Sequence, residues 1–185
     1  MAARQLPDPE LLCKLLRYDP ETGLLYWRTR PPEMFNSNGR SKDASAATWN
    51  GAYAGKEAFF IGPLGYRIGY IFNKPVLAHR VVWAMNHGYW PAKQIDHINL
   101  DRSDNRMCNL REATNSDNSL NRPLSSISTT GYKVVSWDAH FGKYVARICV
   151  RGTKHFLGRF DCAEKAHAAY AKAADKLAGE FARTG

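Results

Sequence analysis

The 185-residue sequence contains four cysteines, Cys13, Cys108, Cys149 and Cys162, and no two of them form a C-x-x-C pair. Structural zinc draws on paired ligands at short spacing, and stable disulfides belong to oxidising compartments. All four therefore read as free thiols, and no structural zinc is expected. Long apolar runs are also missing. None approaches the ~20 residues of a membrane span, and the opening Met-Ala-Ala-Arg-Gln-Leu-Pro-Asp-Pro-Glu lacks the apolar stretch of a signal peptide. The expectation is a soluble, intracellular (cytoplasmic) protein with no membrane partner. No internal repeat is evident. Acidic residues are the scarcer charge, 17 Asp+Glu against 26 Lys+Arg, for a net charge of +9. With 44% hydrophobic and 12% aromatic residues, disorder throughout is excluded.

The positive excess is uneven: residues 124–185 carry +5 of it. Lys133, Lys143, Arg147, Arg151, Lys154 and Arg159 are offset in that stretch by Asp138 alone, with Trp137, Phe141, Tyr144 and Phe156 interleaved. Basic side chains interleaved with aromatics fit a nucleic-acid surface, and a solvated basic face fits the composition equally well.

Along the chain, Leu11, Leu12, Leu15 and Leu16 make an apolar stripe behind Asp8, a helix with its cap. Asp19 to Gly23 is a turn and Leu24–Trp27 a strand. Residues 29–56, rich in Pro, Ser, Asn, Gly and Ala, read as a long polar loop. A hairpin turning at Asn73-Lys74 follows, then a helix over 78–87 ended by Gly88. His79 in that helix reads as a cap or packing residue, and Trp27, Trp83 and Trp90 as core. Strands are expected at 93–98 and 110–114, and a short helix at 116–121. Residues 123–130 read as a linker. Beyond it come three strands and a helix with Asp161 and Glu164 as its capping box and Ala166, Tyr170, Ala173 and Leu177 inward.

Residues 96–121 hold the densest chemistry: Asp-His-Ile-Asn-Leu-Asp-Arg-Ser-Asp-Asn-Arg-Met-Cys-Asn-Leu-Arg-Glu-Ala-Thr-Asn-Ser-Asp-Asn-Ser-Leu-Asn, with six asparagines. An Asp-His pair at a strand end can divide labour. The carboxylate is a hard oxygen ligand suited to Mg²⁺, and a neutral imidazole takes a proton near pH 7. A hairpin followed by a helix could bring Asn118 opposite Asp96 as a second oxygen ligand. The other reading of the same residues is that Asp and Asn build loops and caps. Arg102, Arg106 and Arg111 are candidates for phosphate contact or for an exposed face.

The ordered series Asp-His-Ile-Asn, Asp-Asn-Arg, Asn-Leu-Arg, Ala-Thr and a final helical Asn, preceded by Ala-His-Arg-Val-Val-Trp, resembles the HNH endonucleases of phage and intron origin over about residues 64–122. The resemblance implies a ββα-metal module. It implies His97 as the general base, Asp96 and Asn118 as ligands of one divalent cation (Mg²⁺, or Mn²⁺), and Asn109 as the residue that holds the loop. Leu100 stands where the family often has Gly, and Asn118 where many members have His. The zinc-binding cysteine pairs of some subfamilies are absent.

Beyond the linker, strict alternation in Lys143–Arg151 would turn Tyr144, Ala146, Ile148 and Val150 inward and Lys143, Val145, Arg147, Cys149 and Arg151 outward. A three-stranded sheet backed by one helix leaves its other face open, and here that face is basic. Gly131-Tyr-Lys-Val-Val-Ser-Trp137, Phe156-Leu-Gly-Arg-Phe160 and Ala163-Glu-Lys-Ala-His-Ala-Ala-Tyr170 resemble the apetala-2/ethylene-response-factor DNA-binding domain. That resemblance implies DNA contacts at Lys133, Trp137, Arg147, Cys149, Lys154 and Phe156; Arg151 joins them from the outward face. Cys149 stands where plant members often have Arg.

The expectation is thus an α+β protein: an N-terminal leader (1–63), an HNH module (64–122), a linker (123–130) and a small sheet-and-helix DNA-binding domain (131–185). It would be a monomeric, metal-dependent endonuclease that nicks or cleaves duplex DNA in a bacterial or phage-infected cell. The competing expectations are a non-catalytic DNA-binding regulator with a decayed HNH module, and an RNA-binding or RNA-cleaving protein, which the missing aromatic RNP-type motif disfavours.

Overall fold

The computed structural model describes residues 6–37, 39–121 and 128–181. The architecture is mixed α+β, built of helices and small antiparallel sheets. The chain divides into two compact units, residues 1–112 and 113–185.

In the first unit, Asp8 caps α1 (Pro9–Leu15) by accepting the Glu10 N–H at 2.8 Å. The chain then extends into β1 (Leu16–Asp19), which pairs antiparallel with β2 (Leu24–Trp27). Residues 29–56 are not a loop throughout. They contain α2 (Lys42–Tyr53), capped by the Ser41 hydroxyl on the Ala44 N–H. Its Ser, Asn and Gly content hides it from a compositional reading. Short helices draw their stability from packing rather than propensity, and here Trp49 meets Trp27 edge to face, with ring centroids 5.5 Å apart. Asn50 fixes the segment by bonding both the N–H and the carbonyl of Arg30, each at 2.9 Å.

β3 (Phe60–Ile61), β4 (Arg67–Ile71) and β5 (Lys74–Leu77) form an antiparallel sheet in that order. The β4–β5 hairpin turns at Phe72-Asn73, both with positive φ, one residue earlier than expected, because Lys74 already pairs with Ile71. α3 (Ala78–His87) ends at Gly88 with φ of 76°, as expected of a left-handed C-cap. β6 (Gln94–His97) and β7 (Leu110–Ala113) pair with each other. Leu12, Leu15, Leu16, Leu25, Ile71, Val81, Val82, Trp83, Ile95 and Leu110 make one apolar core, with Trp27 and Trp90 packed at its margin.

In the second unit, α4 (Asn115–Asn121) precedes β8 (Val135–Asp138), β9 (Lys143–Val150) and β10 (Thr153–Phe160), which form a sheet ordered β10-β9-β8. α5 (Ala163–Ala178) covers one face with Ala166, Tyr170 and Ala174, and Leu120 of α4 joins the same core. The alanines let helix and sheet approach closely, which is why so small a stripe suffices. Leu177, expected inward, is exposed, and Ala174 takes the buried position. The expected capping box is not formed: Cys162 is the N-cap residue and makes no side-chain cap bond, while Asp161 pairs with Lys143. Val145, expected outward, is buried on the central strand between its register partners Ser136 and Arg159. Of the 123–130 linker, residues 123–127 lie outside the described residues. Among the described residues no helix is long and apolar enough to cross a membrane.

Candidate functional site

β6 ends at Asp96-His97, and both side chains are buried at the mouth of the loop that leads to β7. The loop is organised by asparagine and aspartate side chains that bond backbone groups. Asn109 spans it: its Oδ1 accepts the Asn99 N–H at 2.9 Å and its Nδ2 donates to the Asp104 carbonyl at 2.8 Å. Asn99 donates to Asp104 and accepts from the Asp101 N–H, each at 2.8 Å. Ser103 donates twice to Asp101, from its N–H at 2.9 Å and its hydroxyl at 2.7 Å. Both carboxyls are depressed. The Ser103 bonds lower Asp101, and the Arg106 guanidinium leads the causes that lower Asp104 to about 2. Leu100 has φ of 69°, a left-handed conformation that costs a branched side chain about 1 kcal/mol or more.

His97 is 4% exposed, and its Nε2 lies 3.2 Å from Oδ1 of Asn105, which is fully buried. The orientation of that amide follows from its other end: Asn105 Nδ2 lies 3.2 Å from the Ser103 carbonyl, which can only accept. Oδ1 therefore faces the ring, Nε2 carries the proton, and Nδ1 carries the lone pair. Burial pushes the His97 imidazole below its ordinary value, opposed by the Asn105 bond and by the charges of Asp96, Asp101 and Asp104. His79 of α3 meets the His97 ring edge to face at 5.1 Å, and Tyr66 lies against both. Burial first, then the charges of His97 and Arg80, lowers His79 to about 3, so it stays neutral. Next door, Asp96 Oδ2 accepts from Nε and Nη2 of Arg111 at 3.0 and 2.9 Å.

The β1–β2 hairpin buttresses this loop. Tyr18 Oη donates to the Asn105 carbonyl at 3.3 Å and accepts the Met107 N–H at 3.0 Å. Gly23, with φ of 73°, sits so close that a Cβ there would lie 2.6 Å from the Arg106 nitrogen. Tyr18, Gly23, Tyr66, His79 and Asn105 are thus parts of the site that sequence reasoning left out. Asn105 carried a signal inside the Asp-Asn-Arg motif, and His79 inside Ala-His-Arg-Val-Val-Trp; Tyr18, Gly23 and Tyr66 lie outside those motifs.

The structure brings Asp96, His97 and Asn109 together in the first unit. Asn118 lies on α4 of the second. Among the described residues no group of three or more His, Cys, Asp or Glu side chains is arranged to hold a metal ion. Arg106 pairs with Asp104, and Arg102 donates to the Leu64 carbonyl at 2.9 Å while lying over Tyr66.

Residues 76–120 match the family model of the HNH endonucleases. Over those residues the chain is similar to the HNH endonucleases. An uncharacterized HNH endonuclease of Acanthamoeba polyphaga mimivirus is 31% identical over 129 residues, covering 69% of this chain and 66% of that protein, just under two thirds of its length. No solved structure matches the chain. The HNH match begins in β5 and closes in α4, so it encloses every member of the Asp96, His97, Asn109 and Asn118 set.

Of the candidate DNA contacts on the sheet of the second unit, Arg147 and Phe156 are register partners, as are Cys149 and Lys154. All four are exposed on the face opposite α5. Phe156 and Phe141 both lie under the Arg159 guanidinium. Trp137 is half exposed but pairs with Tyr144, which puts it on the other side of the strand register. Lys133 donates its Nζ to the Leu120 carbonyl at the end of α4. Arg151 sits with Gly152 in the β9–β10 turn, both at positive φ, and its N–H donates to Ser116 Oγ at 2.9 Å.

Proposed function

We propose that this chain hydrolyses phosphodiester bonds in duplex DNA, with His97 as general base and a divalent metal ion as its cofactor. The observation that carries the reading is the Asn105–His97 bond, which fixes the tautomer so that Nδ1 is the basic nitrogen of a neutral, buried imidazole. Nδ1 removes a proton from the attacking water; a positioned base of this kind is worth about 10²–10⁴-fold. Asn109 acts as a positioning residue through its two bonds across the loop. Asp96 and Asn118 would hold the cation, most simply Mg²⁺, which when bound supplies Lewis-acid stabilisation of the phosphate and the leaving 3′-oxygen. Arg111 holds the Asp96 carboxylate in place beside the base through its two hydrogen bonds.

The basic face of residues 131–185 anchors the enzyme on duplex flanking the cut. Its support is the exposed Arg147, Cys149, Lys154 and Phe156 patch and the resemblance to the apetala-2/ethylene-response-factor domain, which also implies Lys133 and Trp137, the latter from the opposite side of the sheet; Arg151 would join from the outward face. Phosphate contacts then dominate affinity and make it fall steeply with salt.

The test is incubation of the chain with supercoiled plasmid in low salt with Mg²⁺, Mn²⁺ or EDTA, beside His97→Ala. Metal-dependent conversion to open circle or linear by wild type, and not by the variant, is the expected result. Plasmid that is bound but never cut in either metal would make the chain a DNA-binding regulator instead.

A further inference from the structure

The first unit contains a second feature that the proposed chemistry does not use. A cleft of about 570 Å³ opens between α2 and the β3–β4–β5 sheet, lined by Trp27, Arg30, Trp49, Tyr53, Phe60 and Tyr70 among others. Tyr53, Phe60 and Tyr70 are each about half exposed, an unusual concentration of aromatic surface in a unit that has a well-filled core of its own. Between the walls lies a cation. The Arg30 guanidinium stacks over Trp49 at 3.9 Å and over Trp27 at 4.7 Å. Arg30 forms no ion pair among the described residues, and its Nε is buried with no hydrogen-bond partner there. The Asn50 side chain fixes its backbone on both sides, so this cation is held in place without a carboxylate. A planar guanidinium held in the angle between two edge-to-face indoles keeps N–H donors for an anion, and exposed aromatic faces stack on bases of any sequence.

The cleft is joined to the HNH site by a single strand. Tyr66, which lies against His97, immediately precedes β4, and Tyr70, which lines the cleft, lies four residues farther along. At the rise of an extended strand the two are roughly 13 Å apart, about four nucleotides at the ~3.4 Å rise of one duplex strand and fewer along an unstacked one.

We infer that this cleft receives an unpaired nucleotide of the DNA strand being cut, its base on the exposed aromatics and its phosphate on Arg30. The inference takes its ligand class from the nuclease reading. A substrate base leaves the stack a few nucleotides from the scissile phosphate, and sites that unpair cheaply are favoured.

Equilibrium binding in EDTA, where no cutting occurs, tests it separately from catalysis. Wild type should bind a duplex with a five-thymine bubble about fivefold or more tightly than the perfect duplex, from stacking of one or two bases. Single-stranded oligothymidine should also quench the indole fluorescence saturably. Tyr70→Ala with Phe60→Ala, both exposed positions, should bring the bubble-to-duplex ratio to one while leaving perfect-duplex affinity and thermal midpoint as in wild type. An equal ratio in wild type, or a ratio the double variant keeps, overturns the inference. So does stronger quenching by an oligouridine RNA than by the DNA. Failure of plasmid cutting with the bubble preference intact would overturn the nuclease reading and leave the cleft.

Discussion

Replacing Asn105 by leucine removes both ends of the amide that fixes the proton on His97. Asn105 is fully buried and His97 is 4% exposed, so water cannot readily replace the lost 3.2 Å bond. A buried donor left unpaired costs about 1–3 kcal/mol, which lowers the population of the productive ring orientation and tautomer about 5- to 150-fold. Losing the base altogether costs about 10²–10⁴-fold, so Asn105→Leu should fall between wild type and His97→Ala in single-turnover plasmid cleavage. Thermal unfolding, recorded alongside, separates slow chemistry from a smaller folded fraction. Asn105→Asp discriminates further. A carboxylate accepts the same bond but favours the imidazolium, so the His97 value rises. The limb of the pH–rate profile on which the base loses its proton then moves to higher pH. That variant should be slow at pH 6–7 and approach wild type near pH 9. A folded Asn105→Leu that cuts at the wild-type rate, with its pH limb unmoved, would refute the tautomer argument.

Three other outcomes follow from the same geometry. Gly23→Ala forces both a positive φ and a Cβ within 2.6–2.9 Å of the Asn105–Arg106 backbone; it should destabilise the fold by more than about 1–3 kcal/mol and slow cleavage, whereas Gly142→Ala, at φ of 60° with nothing within 4 Å, bears the backbone cost alone and leaves cleavage unchanged. Arg111→Met leaves the buried Asp96 carboxylate without its guanidinium, and urea unfolding should report a loss of about 3–5 kcal/mol; a loss under about 1 kcal/mol would show that the carboxylate is adequately solvated. Asp104, held at about 2 in the folded chain, lies below its ordinary unfolded value of about 3.9, so its contribution is present above pH ~4 and lost as pH falls toward 2. Thermal midpoints across that range should drop less for Asp104→Asn than for wild type.

The local elements were legible in the sequence because each is fixed by neighbours. Asp8 and Gly88 mark helix ends through cap geometry, β9 alternates in hydrophobicity over most of its length, and the run that begins at Asp96 carries the motifs that fall within the HNH match. The Asn109 bonds across its loop also join residues close in sequence. What tertiary structure decided lies at longer range. Trp49 stabilises α2 by packing on Trp27, a partner no window of composition includes. Tyr18 and Gly23 meet the Asn105–Arg106 backbone across more than eighty residues. His79 reads as a helix residue until α3 lays it against His97. Arg30 falls in a stretch that reads as polar loop until Trp27 and Trp49 pack against its guanidinium. Chain-local propensity sets which residues can form an element or bear a charge. Which side chains share a buried volume, and hence which imidazole stays neutral and which guanidinium lies against indoles, is set by how those elements pack.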